Sequence, residues 1–260
     1  MTRLFALSDP HLSLATPGKE MDRFGEHWRD HSRTIESRWR EVVALEDVVL
    51  IPGDISWAMR LPQALADLEF LGRLPGRKVI LRGNHDYWWS SLSKVRHALP
   101  AGMYAVDGDA VEVGPFVIGG TRLWDIPGVS FADFIDWTGD RAPISAMISE
   151  DDVQRSRRIY EREMGRLRRA MQDLSGRRPA ADRPVRVALT HYPPCSADLS
   201  QTDATLCIEA SGASHCVFGH LHSVRRDRGA VFGRGREVEY HLTSCDFLDF
   251  RPKLIAEAAP

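Results

Sequence analysis

The sequence has little of several things, and each scarcity closes off a class of protein. Asparagine occurs once, at Asn84. Lysine occurs only at Lys19, Lys78, Lys94 and Lys253, so arginine supplies nearly all of the 34 basic side chains; this reads first as genomic base composition. Cysteine occurs at Cys195, Cys207, Cys216 and Cys245, with no C-x-x-C pair. A chain of 260 residues buries a core without staples, so reduced thiols are expected and a disulfide framework is not. No apolar run approaches the roughly 18 residues of a membrane-spanning helix. Asp9 interrupts the first apolar run before a signal-peptide core could form, so a cytoplasmic location is expected. The net charge of −2 excludes a global field drawing the chain to nucleic acid or an anionic membrane.

What is present looks globular, with 43% apolar and 27% charged residues and no internal repeat. Short apolar runs alternate with helical patterns. Strands are expected at Arg3–Ser8, Val48–Ile51, Lys78–Leu81, Val111–Val113, Phe116–Ile118, Val185–Leu189 and Cys216–Phe218. Helices are expected over Thr34–Glu46 and Leu61–Leu74. The clearest one spans 151–175, where Tyr160, Met164, Leu167, Met171 and Leu174 step by four and three. The alternation predicts a layered α/β fold, and a hairpin around Gly114-Pro115 makes its sheet mixed. Residues 1–260 read as a single domain with an insertion at about 121–184, whose first part is irregular and carries Trp124, Phe131, Phe134 and Trp137.

Five short motifs follow strand-like runs: Asp9-Pro10-His11, Gly53-Asp54, Gly83-Asn84-His85-Asp86, His191 and Gly219-His220-Leu221-His222. In an open α/β sheet, ligands collect at the carboxyl ends of the strands, so one rule gathers all five. Carboxylate, imidazole and amide oxygen suit manganese, iron, zinc, cobalt or nickel, and no thiolate favours a softer metal. On an extended segment Asp9 and His11 point the same way, as do His220 and His222. Glycine before Asp54, Asn84 and His220 lets the backbone turn and approach closely.

The order D-x-H, G-D, G-N-H-D, H, G-H-x-H resembles the calcineurin-like metallophosphoesterase superfamily, with every element present between positions 9 and 222. The single asparagine stands where that family wants an amide ligand. The resemblance implies an α/β sandwich, a mixed two-layered β core flanked by helices, with two metal ions at one sheet edge. It implies that Asp9, His11, Asp54 and His222 hold one ion and that Asp54, Asn84, His191 and His220 hold the other, Mn2+ being the foremost candidate. It places His85 beside the scissile phosphate, with Asp86 orienting the imidazole. The expected reaction is hydrolysis of a phosphate ester by in-line attack of hydroxide shared between the ions, His85 acting on the leaving group.

A phosphodiester or pyrophosphate bond is expected over a monoester. Candidate substrates are cyclic nucleotides, nucleotide-linked pyrophosphates and nucleic-acid ends, the last disfavoured by the charge. A phosphomonoesterase or protein phosphatase, and a silent metal-binding adaptor, are the rival readings. Arg60 and Arg82 could fork onto a phosphate, and Trp57, Tyr87, Trp88 and Trp89 could stack on a base or sugar or serve core or rim packing. The aromatics of 121–150 suit a lid, a specificity wall or a subunit contact equally. The arginines of the 151–175 helix read as a solvated face. His27, His31, His97, His215 and His241 match no motif, and the sequence assigns them no chemistry.

Overall fold

The computed structural model of the chain describes residues 1–136, 149–179, 181, 183–225 and 232–259. Its first part lays down β1 (Thr2–Ala6), α1 (His31–Val42), β2 (Val48–Ile51), α2 (Leu61–Arg73), β3 (Arg77–Leu81), α3 (Leu92–Ala98) and β4 (Met103–Val106). The rest adds β5 (Asp109–Val113), β6 (Phe116–Thr121), α4 (Glu150–Gly176), β7 (Val185–Thr190), α5 (Asp203–Ala210), β8 (His215–Phe218), β9 (Gly233–Gly235), β10 (Val238–Leu242) and β11 (Lys253–Ala258). One sheet has the order β11-β1-β2-β3-β4 and the other β5-β6-β7-β8-β10-β9. In the first, only β11 runs antiparallel. In the second, β6, β7, β8 and β10 are parallel, and the edge strands β5 and β9 are antiparallel. The chain therefore forms the expected α/β sandwich of two mixed sheets flanked by helices.

The continuous apolar runs follow from burial on both faces. In β2, Val48 and Leu50 join Leu4, Val79, Leu81, Phe116, Ile118, Val187, Leu189 and Val217 between the sheets. Val49 and Ile51 face outward and pack with Ile35, Trp39, Leu68 and Leu71 of α1 and α2. The second sheet repeats the plan: Met164, Leu167, Met171 and Leu174 of α4 cover Val117, Ala188, Cys216 and Phe218.

Helix ends follow local chemistry. Ser149 caps α4 by accepting from the Asp152 N–H at 3.1 Å, and Glu150, Asp151 and Asp152 lie in its positive first turn. Helix α1 begins three residues before the expected start and stops at Val42, four short of the expected end. The reason is Asp47, whose Oδ2 accepts from Ala44 N at 2.8 Å and turns the chain before β2. The sequence reading missed α3, β4, α5, β9, β10 and β11. Of the aromatics in 121–150, Trp124 and Phe131 pack against the second sheet's outer cluster; Trp137 lies outside the described residues. Among the described residues, no helix is long and apolar enough to cross a membrane.

Because β1, β2 and β3 are parallel, the loops after them leave from one edge. Backbone hydrogen bonds stitch these loops side by side. Ser8 N donates to Thr243 O at 2.7 Å, Asp9 N to Gly53 O at 3.1 Å, His11 N to Asp54 O at 3.0 Å, and Gly219 N to His191 O at 3.1 Å.

Candidate metal centre

The stitched loops are tightly bent. Asp9 (φ +57°), His11 (φ +43°), Asp54 (φ +49°) and His220 (φ +73°) all occupy the left-handed region that non-glycine residues seldom enter. This corrects the reading of D-x-H and H-x-H as extended segments. Their side chains converge because successive tight turns aim them, and strand alternation has no part in it. Such strained residues persist only where the surroundings over-determine them. Two glycines show how close the surroundings come. A Cβ at Gly83 would collide with Asp54, and one at Gly219 would collide with Ser8 and Asp9. The glycines thus admit the carboxylates themselves.

The ligand atoms form two groups that share a carboxylate. In one, His11 Nε2 stands 3.2 Å from His222 Nε2 and 3.7 Å from Asp54 Oδ2, and His222 Nε2 stands 3.7 Å from Asp9 Oδ1. In the other, Asn84 Oδ1 lies 2.6 Å from His191 Nε2 and 3.1 Å from His220 Nδ1, and His191 Nε2 lies 3.5 Å from Asp54 Oδ2. Asp54 Oδ2 therefore belongs to both groups. Its other oxygen is already used, accepting from His85 N at 2.8 Å. Asp9, His11, Asp54 and His191 are at most 3% exposed, while Asn84, His85, His220 and His222 open toward solvent.

These residues fit a pair of cations. Metal–nitrogen and metal–oxygen bonds of about 2.0–2.2 Å leave neighbouring ligand atoms roughly 3 Å apart, close to the separations found. Pro52 O lies 2.9 Å from His191 Nδ1 and can only accept, so Nδ1 carries a proton and Nε2 is the nitrogen that faces Asn84 Oδ1. A positive charge belongs between Nε2 and that oxygen, a metal ion or, without one, a proton on Nε2. Electrostatics agree. Burial opposes charge on His191, yet Asp54 and Asp9 outweigh it and raise the imidazole to about 9. Burial likewise opposes His222, and Asp246 with Asp9 raises it to about 9. Among the described residues, Asp9 and Asp54 have only imidazoles as ion-pair partners. Buried carboxylates so placed demand a cation.

Asp86 corrects a specific expectation. Its Oδ1 accepts from Ile55 N at 2.8 Å, Ser56 N at 3.1 Å and Trp88 Nε1 at 2.8 Å, and its Oδ2 from Gly83 N at 2.7 Å. Both oxygens hold loops together, and neither bonds the His85 ring, whose Nδ1 is buried with no partner. Asp86 is fully buried, and burial pushes its carboxyl up to about 6. The His85 ring instead lies 4.7 Å from Trp57 and 5.7 Å from His11.

Of the other singled-out residues, Trp57 stacks on His11 at 5.0 Å, and the exposed Tyr87 lies edge-on 6.1 Å from His85. Trp88 and Trp89 are buried in the core outside the first sheet, so of the two readings packing holds for them. Arg60 is exposed at the start of α2. Arg82 has Asp107 and Arg122 as charged neighbours and leaves its Nε buried without a partner. No hydrogen bond or ion pair among the described residues joins either arginine to the candidate ligands.

Three neighbours of the site were not singled out from the sequence. Asp246 Oδ1 accepts from His222 Nδ1 at 2.9 Å, and its Oδ2 accepts from Ser223 N at 2.8 Å. Burial works against its charge, but His222 and Ser223 N outweigh burial and hold its carboxyl below the ordinary value. Tyr192 lies over His220 at 4.0 Å between ring centres. Trp28 sets an edge against His222 at 5.7 Å. Tyr192 directly follows His191 and was within reach of the motif reading; Asp246 and Trp28 stand far from every motif and had no local signal.

Comparisons with known proteins identify the family. A sequence model of the calcineurin-like phosphoesterase family matches residues 2–224. The Gene 66 protein of Mycobacterium phage D29 is 38% identical over 86 residues, covering 33% of this chain and 41% of that protein. An uncharacterized protein of Methanocaldococcus jannaschii is 30% identical over 86 residues, covering 33% of this chain and 48% of that protein. Those matches span less than half the length of either relative. Among solved structures, the phosphopantetheinyl hydrolase of Mycobacterium tuberculosis shares 14% identity with a TM-score of 0.53, over 100% of this chain and 98% of that one. That likeness is one of fold.

Proposed function

The chain belongs to the calcineurin-like phosphoesterase family, and from that premise we propose that it hydrolyses phosphate esters at the cluster of Asp9, His11, Asp54, Asn84, His191, His220 and His222, with two metal ions. The observation that carries this reading is the position of Asp54 Oδ2, 3.7 Å from His11 Nε2 and 3.5 Å from His191 Nε2, between two groups of ligand atoms. Asp9, His11, Asp54 and His222 would hold one ion; Asp54, Asn84, His191 and His220 would hold the other. The nitrogen and oxygen donors suit manganese, iron, zinc, cobalt or nickel, and Mn2+ is tried first on the strength of the family resemblance. When bound, such a pair supplies an acidified water and positive charge for the phosphate oxygens.

The remaining work falls to the protein. The His85 backbone is fixed on the shared carboxylate, and its ring is held against Trp57, so its imidazole is positioned to protonate the leaving oxygen. Trp57 and Tyr87 flank that ring as flat walls, which suit an organic group carried on the phosphate, and a diester or pyrophosphate is the reading preferred over a monoester. A nucleotide is the first candidate. The activity of the Mycobacterium tuberculosis neighbour adds phosphopantetheinyl groups to the substrates to test.

The test uses chelator-stripped protein re-supplied singly with Mn, Zn, Co, Ni or Mg. Turnover of bis(p-nitrophenyl) phosphate is compared with that of p-nitrophenyl phosphate. The expected result is metal-restored turnover, greater for the diester, falling by roughly 10²–10⁴-fold in His85→Ala at unchanged metal content. Two bound ions with no turnover of either ester would overturn the reading.

A further inference from the structure

Two of the histidines that match no motif meet away from the site. On the parallel pair β8 and β10, His215 lies opposite Glu239, and His241 lies opposite Val217. Cys216, Phe218, Tyr240 and Leu242 face the outer cluster beneath α4, so the alternate residues His215, Val217, Glu239 and His241 face the other side of the sheet. There His215 Nδ1 stands 3.1 Å from His241 Nε2 and 4.0 Å from Glu239 Oε2. One ligand atom from each of the three residues lies within 4.8 Å of the others.

We propose that His215, Glu239 and His241 form a further metal site, separate from the phosphoesterase centre, that takes a zinc-like divalent ion. Three protein ligands of nitrogen and oxygen, with a fourth position left to water, are a complete set for such an ion. Two nitrogens on one zinc are roughly 3.3 Å apart, near the 3.1 Å found, and the half-buried Glu239, 4.0 Å from His215 Nδ1 and within 4.8 Å of His241, has to close on both by a side-chain adjustment. His241 is 3% exposed and anchors the site, while His215 and Glu239 are half-buried and leave an approach from solvent. Burial lowers both imidazoles, His241 to about 3 with help from Lys253, so both offer lone pairs at neutral pH. The competing cations are Lys253 of β11 and Arg234 of β9, which face the same cluster. Lys253 is exposed and can withdraw to solvent when a dication takes its place beside Glu239.

The site stands at the start of β8, five residues and roughly 15 Å before His220, so its ion is not one of the catalytic pair. It would clamp the strand that leads to His220 and His222 onto the strand that leads to Asp246.

The test counts ions. Full-length protein is stripped, loaded with excess Zn2+, desalted and analysed for metal per chain, beside His241→Ala, His215→Gln and Glu239→Gln. The last two change half-buried positions and keep the fold if the buried one does not. The wild type should carry one more ion than each variant, whatever the turnover. Co2+ loading should give a tetrahedral visible band that the variants lack. Equal ion counts in natively folded His215→Gln and wild type would overturn the proposal and leave a hydrogen-bonded histidine pair. Since the readout is a difference between wild type and variant, it stands or falls apart from the phosphoesterase reading.

Discussion

From the loops after β1, β2 and β3 come Asp9, His11, Asp54 and Asn84: both carboxylates, the amide and one imidazole. From the loops after β7 and β8 come imidazoles alone, His191, His220 and His222. The two sides are also fixed differently. The carboxylates of the first side are held by backbone N–H groups, Asp54 by His85 N at 2.8 Å within a frame tied by Asp86, and Asp9 by His220 N at 3.0 Å from the loop after β8. The imidazoles of the second side are aimed by groups from elsewhere: His191 by Pro52 O at 2.9 Å, and His222 by Asp246 at 2.9 Å. A fixed charge needs only a rigid cradle, whereas an imidazole needs a partner for its second nitrogen to settle tautomer and orientation. The first sheet thus supplies charge, and aim comes from Pro52 across the sandwich for His191 and from Asp246, just past β10 of the second sheet, for His222.

The hardest way to break this division is Asp54→Ala. It removes an oxygen within reach of an imidazole in each ligand group, so both ions should be lost or displaced and turnover should fall by at least about 10³-fold, several kcal/mol of electrostatic stabilisation. Metal analysis with a diester assay checks it, and near-normal turnover with one ion would show that the groups work independently. Asp246→Asn probes aim at constant ligand count. Metal affinity should weaken roughly 10–100-fold, the usual cost of losing such an orienting partner. Titration with Mn2+ against a competing chelator reads this, and an unchanged affinity would mean that Ser8, Tyr192 and Trp28 suffice to hold the second side.

The mildest test concerns the first side's frame. Asp47 Oδ2 accepts from Arg3 Nη2 at 2.7 Å and from Ala44 N at 2.8 Å, bracing β1 against the turn into β2. Burial opposes its charge, but Arg3 and the Ala44 N–H outweigh burial and lower the carboxyl below its ordinary value. The folded state therefore binds this proton less readily than the unfolded one. The stabilisation is complete above the ordinary carboxylate pKa of about 3.9 and is lost as pH falls below it. Asp47→Asn should cost about 1–3 kcal/mol at neutral pH, flatten the acid limb of melting temperature against pH, and spare turnover. An acid limb as steep as the wild type's would assign acid unfolding to other carboxylates.

How much of this was legible in the sequence depended on length scale. The compact apolar runs of β2 and β3 named themselves because both faces are buried, and each ended on a motif. Strand β10, with Glu239 and His241 in its five residues, and the half-exposed edge strand β11 carry no such run. Asp86 was misassigned because adjacency to His85 suggested a charge partner, whereas four N–H donors from the surrounding loops and Trp88 occupy its oxygens. The positive φ of Asp9, His11, Asp54 and His220 has no sequence marker at all, since none is glycine. Asp246 lies beyond residue 224, where the family match also stops.

That last boundary bears on how the chain is made. When residues 1–222 have left the ribosome, all seven candidate ligands exist. Thr243 and Cys245, which bracket Ser8 through its N–H at 2.7 Å and its carbonyl at 2.9 Å, have yet to be synthesised. So has Asp246, and so has β11, whose pairing with β1 covers what is until then an open strand edge. The nascent chain holds all seven candidate ligands of the phosphoesterase centre before it holds Asp246 and β11, the last of the groups that brace them.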